Sequence, residues 1–215
     1  MPRPPGTRNQ DFAEKRDALI DKLTAFVLQE GVELPSFRQL AMAAETSEPT
    51  LRHYFKDRSG VIVAIMARLN EMSAFMREAT RTPSGSIEES VEEYITLISN
   101  FRTNTRFIQA HMFGMRESMS DAEARKAYLD YIIEPSVDAL AERLVKTKGG
   151  PTNYQSARAA AMMLMSSSQY MLVHQNLLEG AEHNPIDVDW YFGLVRNWIL
   201  DGMERNPEGL DSDAG

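Results

Sequence analysis

Apolar residues recur at helical spacing along almost the whole chain, and this periodicity constrains the fold most strongly. In residues 11–30, Phe12, Leu19 and Leu23 begin a stripe that Arg16 extends with its alkyl stem. We find no stretch with the strict alternation of a β-strand. The pattern therefore predicts an all-α protein of about nine helices.

Capping and helix-breaking residues divide this pattern into elements. Ser47 is a good N-cap for a short helix ending at Phe55, with Pro49 in its first turn. Ser86 with Glu89, and Ser120 with Glu123, are typical of capping boxes. The predicted helices cover 11–30, 36–44, 47–55, 59–79, the segment after Ser86, 104–117, 120–146 with a kink at Pro135, 153–179 and 187–205.

Breaks in the pattern suggest four regions. "TRTPSGS" at 80–86 indicates a domain boundary. We therefore predict a flexible basic arm over 1–10 with Arg3 and Arg8, and a helix-turn-helix domain with its connecting helix over 11–80. A second helical domain follows over 81–206, with a disordered tail over 207–215.

Charge and composition limit the classes of function. The net charge is −8, yet residues 1–80 carry 11 basic and 11 acidic side chains, so the excess lies in 81–215. A neutral first part leaves nucleic-acid binding open in an acidic chain. The chain has no cysteine, and its longest apolar run, 159–165, is too short to span a bilayer. We predict a cytoplasmic protein without disulfides, a membrane span or a signal peptide.

The segment "ETSEPTLRHYF", residues 45–55, is short and polar, and two apolar side chains, Leu51 and Phe55, stand four residues apart in it. Three short helices with a tight turn before the third are typical of a helix-turn-helix unit. In such a unit the third helix lies in the major groove of DNA, with its N-terminal residues at the base edges. The segment therefore predicts a recognition helix.

"FRQLAMAAETSEPTLRHYFKDRSGVIVAIM" resembles the DNA-binding region of the TetR family of transcriptional regulators. The matching positions are Leu40, Ala41, Ala44, Ser47, Thr50, Leu51, Phe55 and Arg58. The resemblance implies a dimeric regulator with a small-molecule effector, and most of that family are repressors released by ligand.

Three positions depart from the family pattern. Glu45 stands where glycine is usual, which predicts a turn that is either slightly different or strained. Glu48 places an acid at the start of the recognition helix, and Arg52 replaces the usual phosphate-binding tyrosine. These departures concern the operator sequence rather than DNA binding itself.

The candidate DNA contacts fall into two groups. Arg52 and His53 are candidates for base edges, and Glu48 for a cytosine amine. The candidates for phosphate contact or for positioning the helix are Ser36, Ser47, Thr50, Tyr54, Lys56 and Arg58. A solvated surface helix explains the same residues and stays open as the alternative.

The second domain offers a methionine- and aromatic-rich set that suits an apolar or aromatic effector. The predicted pocket residues are His111, Met112, Met115, Tyr128, Tyr131, Met162, Met165, Gln169, Tyr170 and His174. Ordinary core packing is the alternative for each of them.

The last two long helices carry wide apolar stripes that suit a homodimer interface on a palindromic operator. The predicted interface residues are Leu164, Ser168, Met171, Leu172, Leu194, Val195, Trp198 and Ile199. Packing within one chain explains part of each stripe.

Two other classes of protein remain as alternatives. One is a ligand-binding or scaffolding dimer of the same fold that no longer binds DNA, favoured only by Glu45 and Glu48. The other is an all-α enzyme, since Tyr128, Tyr131, Glu134 and His174 can be combined into an acid/base group. No catalytic motif or metal-ligand spacing accompanies them, so we predict no catalytic residue, no metal and no cofactor.

Overall fold

The structure, a computed structural model, describes residues 7–29, 33–100 and 104–205, with side chains from residue 10 onward. Every regular element in these ranges is helical, which confirms the all-α prediction. The α-helices are α1 Thr7–Val27, α2 Phe37–Ala43, α3 Glu48–Phe55, α4 Arg58–Met72, α5 Ala74–Arg81, α6 Ile87–Ser99, α7 Thr105–Ser120, α8 Ala122–Tyr128, α9 Glu134–Lys146, α10 Tyr154–Leu172, α11 Gly180–His183 and α12 Val188–Arg205.

The first helix begins earlier than the sequence predicts, because residues 7–10 of the expected arm are already helical. The rest of that arm, Gly31 and the tail 207–215 lie outside the described residues.

Serine caps start the two helices that follow. Ser36 accepts from the Gln39 N–H, and the Gln39 side chain accepts from the Ser36 N–H, forming a capping box. Ser47 accepts from the Thr50 N–H, and α3 ends at Phe55, as predicted. The predicted helix over 59–79 is instead two helices, because the chain leaves the helical conformation at Ser73.

The predicted capping box at Ser86 and Glu89 is confirmed, whereas the one at Ser120 is wrong. Asp121 caps α8, because its carboxylate accepts from the backbone N–H groups of Glu123 and Ala124. The Ser120 hydroxyl instead donates to the Glu117 carbonyl. A carboxylate one residue further along offers the helix start a stronger acceptor.

The break predicted at Pro135 takes the form of a π-helical turn over Leu129–Ile133, after which α9 begins at Glu134. Proline lacks a backbone N–H and is tolerated in the first turn of a helix, where that donor has no partner. A second π-helical turn, Val173–Leu177, ends the helix that α10 begins.

Backbone contacts divide the chain into two compact units. The first unit comprises the chain up to Met72 together with Gln109–Ile132. The second unit comprises Ser73–Ile108 and the chain from Ile133 onward. Helices α7 and α8 therefore pack with the N-terminal helices, and the predicted boundary at 80–86 falls inside the second unit.

Each unit has its own apolar core. Fully buried leucine, isoleucine and methionine side chains fill the first, among them Leu23, Leu40, Leu51, Ile62 and Met66. In the second unit, Val91, Leu140, Leu144 and Leu164 have no exposed surface.

Arg143 organises the polar interior of the second unit. Its Nη1 donates to the Thr82 carbonyl at 2.6 Å and its Nε to the Ser90 carbonyl at 3.1 Å. The guanidinium also pairs with the Glu93 carboxylate. The pKa of Glu93 is lowered by its hydrogen bonds from the Ser84 hydroxyl and from Arg143. Arg143 thereby joins the end of α5 to α6 and α9 through groups that need a partner when buried.

Candidate nucleic-acid interface and sensor residues

Helix α3 is held by one apolar face. Leu51 is fully buried and Phe55 nearly so, while Thr50, Arg52 and His53 are exposed. The Ser47 and Thr50 hydroxyls lie 2.8 Å apart and close the first turn. The helix therefore presents a polar face to solvent, and its buried residues Leu51 and Phe55 fix its orientation.

Aromatic packing fixes two further residues of α3. The Phe12 ring from α1 lies 4.7 Å from the Tyr54 ring and 5.6 Å, edge to face, from the His53 ring. Such pairs restrict ring orientation. The sequence pattern places Phe12 only in a core stripe, yet 39% of it is exposed beside α3.

Arg52 is positioned by stacking. Its guanidinium carbon lies 5.0 Å above the Phe37 ring of α2, a cation–π geometry. Its Nη1 also lies 3.4 Å from the Lys56 carbonyl. The side chain remains exposed, and its remaining donors are available to an external acceptor.

The strain predicted at Glu45 is present. Its φ is 54°, in the left-handed region where a side chain is unfavourable. The Lys22 ammonium donates to its carboxylate and lowers the pKa of Glu45. Glu48, half-buried at the first position of α3, occupies the end of a helix where a negative charge is favourable.

Arg58 is turned inward, where a carboxylate and a backbone carbonyl occupy three of its five N–H donors. Its Nη1 and Nη2 donate to the two carboxylate oxygens of Glu117 at 2.8 and 2.7 Å, and its Nε donates to the Pro35 carbonyl at 2.8 Å. The Glu117 side chain is completely buried, so it holds the guanidinium strongly. No local pattern in the sequence indicates this partner, because it lies 59 residues away.

A second contact lies beside the first. The Ser59 hydroxyl donates to the Asp121 carboxylate, which also caps α8. The hydrogen bonds from Ser59 and the Ala124 N–H lower the pKa of Asp121. The start of α4 is thus bound by two carboxylates from the end of α7 and the start of α8.

Five predicted pocket residues lie in the first unit. The His111 Nδ1 and the Tyr128 hydroxyl are 3.3 Å apart, and the Tyr128 ring packs on Gly114, where a Cβ would lie 2.3 Å from it. Burial lowers the pKa of His111 to about 4 and raises the pKa of Tyr128 to about 12, which favours the neutral forms. Met112 and Tyr131 are half-buried, and Met115 is exposed.

The other five lie in the second unit and do not form one buried group. Met165 is buried, Gln169 and His174 are half-buried, and Met162 and Tyr170 are exposed. The His174 Nδ1 lies 2.7 Å from the Gln175 Nε2. Exposure of Met162 and Tyr170 places them on a helix surface rather than in an enclosed pocket.

The predicted interface residues need a similar correction. Leu164, Ser168, Met171, Leu172, Val195 and Ile199 are buried within the chain itself, and Leu194 is half-buried. Only Trp198 of that set is exposed, at 67%. The exposed large apolar side chains of the same two helices are instead Tyr154, Met162, Met163, Tyr170, Trp190 and Trp198.

Within residues 7–29, 33–100 and 104–205, no cluster of three or more histidine, aspartate or glutamate side chains is arranged to hold a metal ion. Over the same ranges, no single helix is long and apolar enough to cross a membrane; α4 and α5 reach that length and composition only when taken together.

Solved structures that match this fold include transcriptional regulators. The chain is similar to a protein from Mesorhizobium loti assigned to the TetR family of transcriptional regulators, with a TM-score of 0.66 and 13% identity over 89% of this chain and 97% of that one. It is also similar to GusR of Salmonella enterica, with a TM-score of 0.61 and 19% identity over 89% and 96% of the two chains.

FadR of Bacillus subtilis, solved in complex with stearoyl-CoA, matches with a TM-score of 0.60 and 14% identity over 86% and 98% of the two chains. No protein-family model and no curated protein sequence matches the chain. The chain therefore has the TetR-family fold, and the predicted resemblance is confirmed at the level of the fold.

Proposed function

We propose that the chain is a ligand-responsive transcriptional regulator. It binds a palindromic DNA operator as a homodimer in the cytoplasm, represses transcription, and is released by a small apolar or aromatic molecule. One observation carries the proposal: α3 buries Leu51 and Phe55 beneath it and exposes Thr50, Arg52 and His53 above.

The dimensions of α3 suit a groove. An α-helix with its side chains is about 10–12 Å in diameter, which matches the width of the major groove of B-DNA, about 12 Å, and the eight residues of α3 extend about 12 Å along it. Arg52 is the best candidate for a guanine edge, since Arg to guanine is the commonest specific contact, and His53 is the second base-edge candidate. Thr50, Tyr54 and Ser36 remain candidates for the phosphates on either side.

Operator geometry and surface chemistry both support dimerisation. A palindromic site needs two recognition helices about 34 Å apart, which a two-fold dimer provides. The exposed aromatic and methionine side chains of α10 and α12 supply the residue types enriched at interface centres. We therefore assign the interface to Met163, Tyr170, Trp190 and Trp198 in place of the buried residues of the same helices.

The effector is proposed to be apolar with a polar group. His111 and Tyr128 form a neutral hydrogen-bonding pair within an otherwise apolar set that includes Met112. FadR of Bacillus subtilis shares the fold and holds stearoyl-CoA, whose acyl chain is apolar, which supports an effector of this character. The effector must bind the released conformation more tightly than the DNA-binding conformation, because a ligand with equal affinity for both does not shift the equilibrium between them.

The alternative of a dimer that binds ligand without DNA is not favoured. Its support is the acidic pair Glu45 and Glu48. Glu45 is paired with Lys22, and Glu48 lies where its charge stabilises the N-terminus of α3. Both acids thus have local structural roles that are compatible with DNA binding.

The test is selection of duplexes from a random pool, followed by affinity measurements with the selected duplex. We expect Arg52→Ala to weaken binding about 10- to 100-fold, as when a base-edge hydrogen bond is removed, and affinity to fall log-linearly with salt. Lys126→Ala is the matched control, because Lys126 is an exposed base of the same unit on α8. Failure of the protein to enrich any duplex would contradict the proposal. So would an operator affinity of Arg52→Ala equal to that of Lys126→Ala.

A further inference from the structure

The backbone between α3 and α4 contains a rare turn. Lys56 has φ 70° and ψ −58°, and the Asp57 N–H donates to the Phe55 carbonyl at 2.9 Å. A hydrogen bond between residues two apart around a positive-φ centre defines a γ-turn of the rare, strained kind. Lys56 carries a side chain in a conformation that glycine adopts without strain.

The surrounding chain leaves this turn little freedom. A Cβ at Gly60 would lie 2.0 Å from the Phe55 carbonyl oxygen, so α4 approaches the end of α3 as closely as the backbone allows. The Gly60 N–H donates to the Asp57 carboxylate at 2.9 Å. The strain at Lys56 is therefore imposed by the junction and is not a local fluctuation.

The two basic side chains of this junction are used differently. Three of the five N–H donors of Arg58 are occupied by Glu117 and Pro35, and its side chain is 29% exposed. The Lys56 side chain is 89% exposed, and its nearest carboxylate oxygen, on Asp57, is 3.9 Å away. Lys56 is thus the more exposed of the two basic residues of the junction and the one better placed to contact an external anion.

We infer that the strained turn at Lys56 holds this lysine out as the phosphate contact at the end of the recognition helix, so that it lowers fold stability while increasing affinity for DNA. The inference rests on the proposed function. Backbone strain of this type is found at functional sites, where the surrounding structure maintains it. A single lysine on a phosphate adds affinity without sequence preference.

Three substitutions at this position separate strain from charge. Lys56→Gly removes both, so we expect the melting temperature to rise by about 2–4 °C while operator affinity falls. Lys56→Gln keeps the strain and removes the charge, so only affinity falls. Lys56→Arg keeps both properties close to those of the natural chain. The log–log salt slope of affinity becomes shallower by about 0.9 for each phosphate that the protein no longer neutralises.

Glu179→Gly is the matched control, since Glu179 is an exposed residue with φ 56° in the second unit. It should raise the melting temperature without changing affinity or salt slope. Melting is measured at one protein concentration for all variants.

The outcomes distinguish the two proposals. If the natural chain binds its selected duplex and depends on Arg52, but Lys56→Gly and Lys56→Gln keep full affinity and slope, only the inference on Lys56 is overturned. A melting temperature of Lys56→Gly at or below that of the natural chain also overturns it. If the natural chain enriches no duplex, both proposals are overturned.

Discussion

The Glu117 carboxylate is enclosed on all sides and accepts two hydrogen bonds from a single guanidinium. The Arg58 side chain is 29% exposed, so it is less completely desolvated than the Glu117 carboxylate. Removing one member of a buried pair leaves the other charge unsatisfied, and this is far more destabilising than replacing both. The arginine therefore stabilises the first unit by compensating a buried carboxylate.

Arg58→Met is expected to lower the free energy of unfolding by about 3 kcal/mol, because Glu117 stays buried without its partner. Urea denaturation measures this loss. The double variant Arg58→Met/Glu117→Leu serves as the control and should recover most of it. A loss below about 1 kcal/mol in the single variant would show that the pair contributes no more than an exposed one.

His111 gives the fold a dependence on pH. Its folded pKa of about 4 lies below the ordinary value of 6.5, so between these values the unfolded chain binds the extra proton. The contribution of His111 to the free energy of unfolding is therefore fully present above pH 6.5 and is lost as the pH drops towards 4. We expect the loss to be about 1–3 kcal/mol, and the lower end of this range allows for the partial exposure of His111.

His111→Gln is expected to flatten this pH dependence while keeping a hydrogen-bonding group beside Tyr128. Urea denaturation at a series of pH values from about 4.5 to about 7.5 measures the slope. The same slope in the variant and the natural chain would assign the pH dependence to other groups.

At the scale of elements, α12 has two faces with different partners. Phe192, Val195 and Ile199 are buried in the chain's own core, and the Tyr191 hydroxyl donates to the Ser167 carbonyl of α10 at 3.2 Å. Trp190 and Trp198 lie on the exposed side at 62% and 67%. Large exposed apolar side chains on α12 and also on α10, among them Met163 and Tyr170, are typical of an interaction surface.

Charge on the exposed face should separate the proposed dimer. Trp190→Glu with Trp198→Glu is expected to give a folded monomer in light scattering, with unchanged helical circular dichroism. Val195→Asp is the contrasting variant: it buries a charge and should unfold the chain, losing at least about 3 kcal/mol. A Trp190→Glu/Trp198→Glu double variant that stays dimeric would place the interface elsewhere.

Local signals in the sequence predict the helices better than the partners of their side chains. The serine caps at Ser47 and Ser86 act over three residues, so the sequence alone locates them. Periodicity shows that Leu164 is buried, but it does not tell packing in one chain from packing between two. The break at Ser73 has neither glycine nor proline beside it, and the Glu117 partner of Arg58 lies 59 residues away, so local sequence signals predict neither feature.

At the scale of the whole molecule, the two units do not follow the order of the sequence. The chain passes between them after Met72, Ile108 and Ile132. Five of the ten predicted pocket residues lie in the first unit and five in the second. Because α7 and α8 belong with the proposed DNA-binding helices, an effector held by His111 and Tyr128 would act on that unit directly.

The interrupted first unit also has a consequence for synthesis on the ribosome. Arg58 is translated 59 residues before Glu117. At a translation rate of about 5–20 residues per second, Glu117 is added about 3–12 s after Arg58. During that interval the nascent α4 lacks the helices that later cover it. A fragment ending near residue 80 would remain in this state permanently, and a chaperone that binds apolar helices would recognise it.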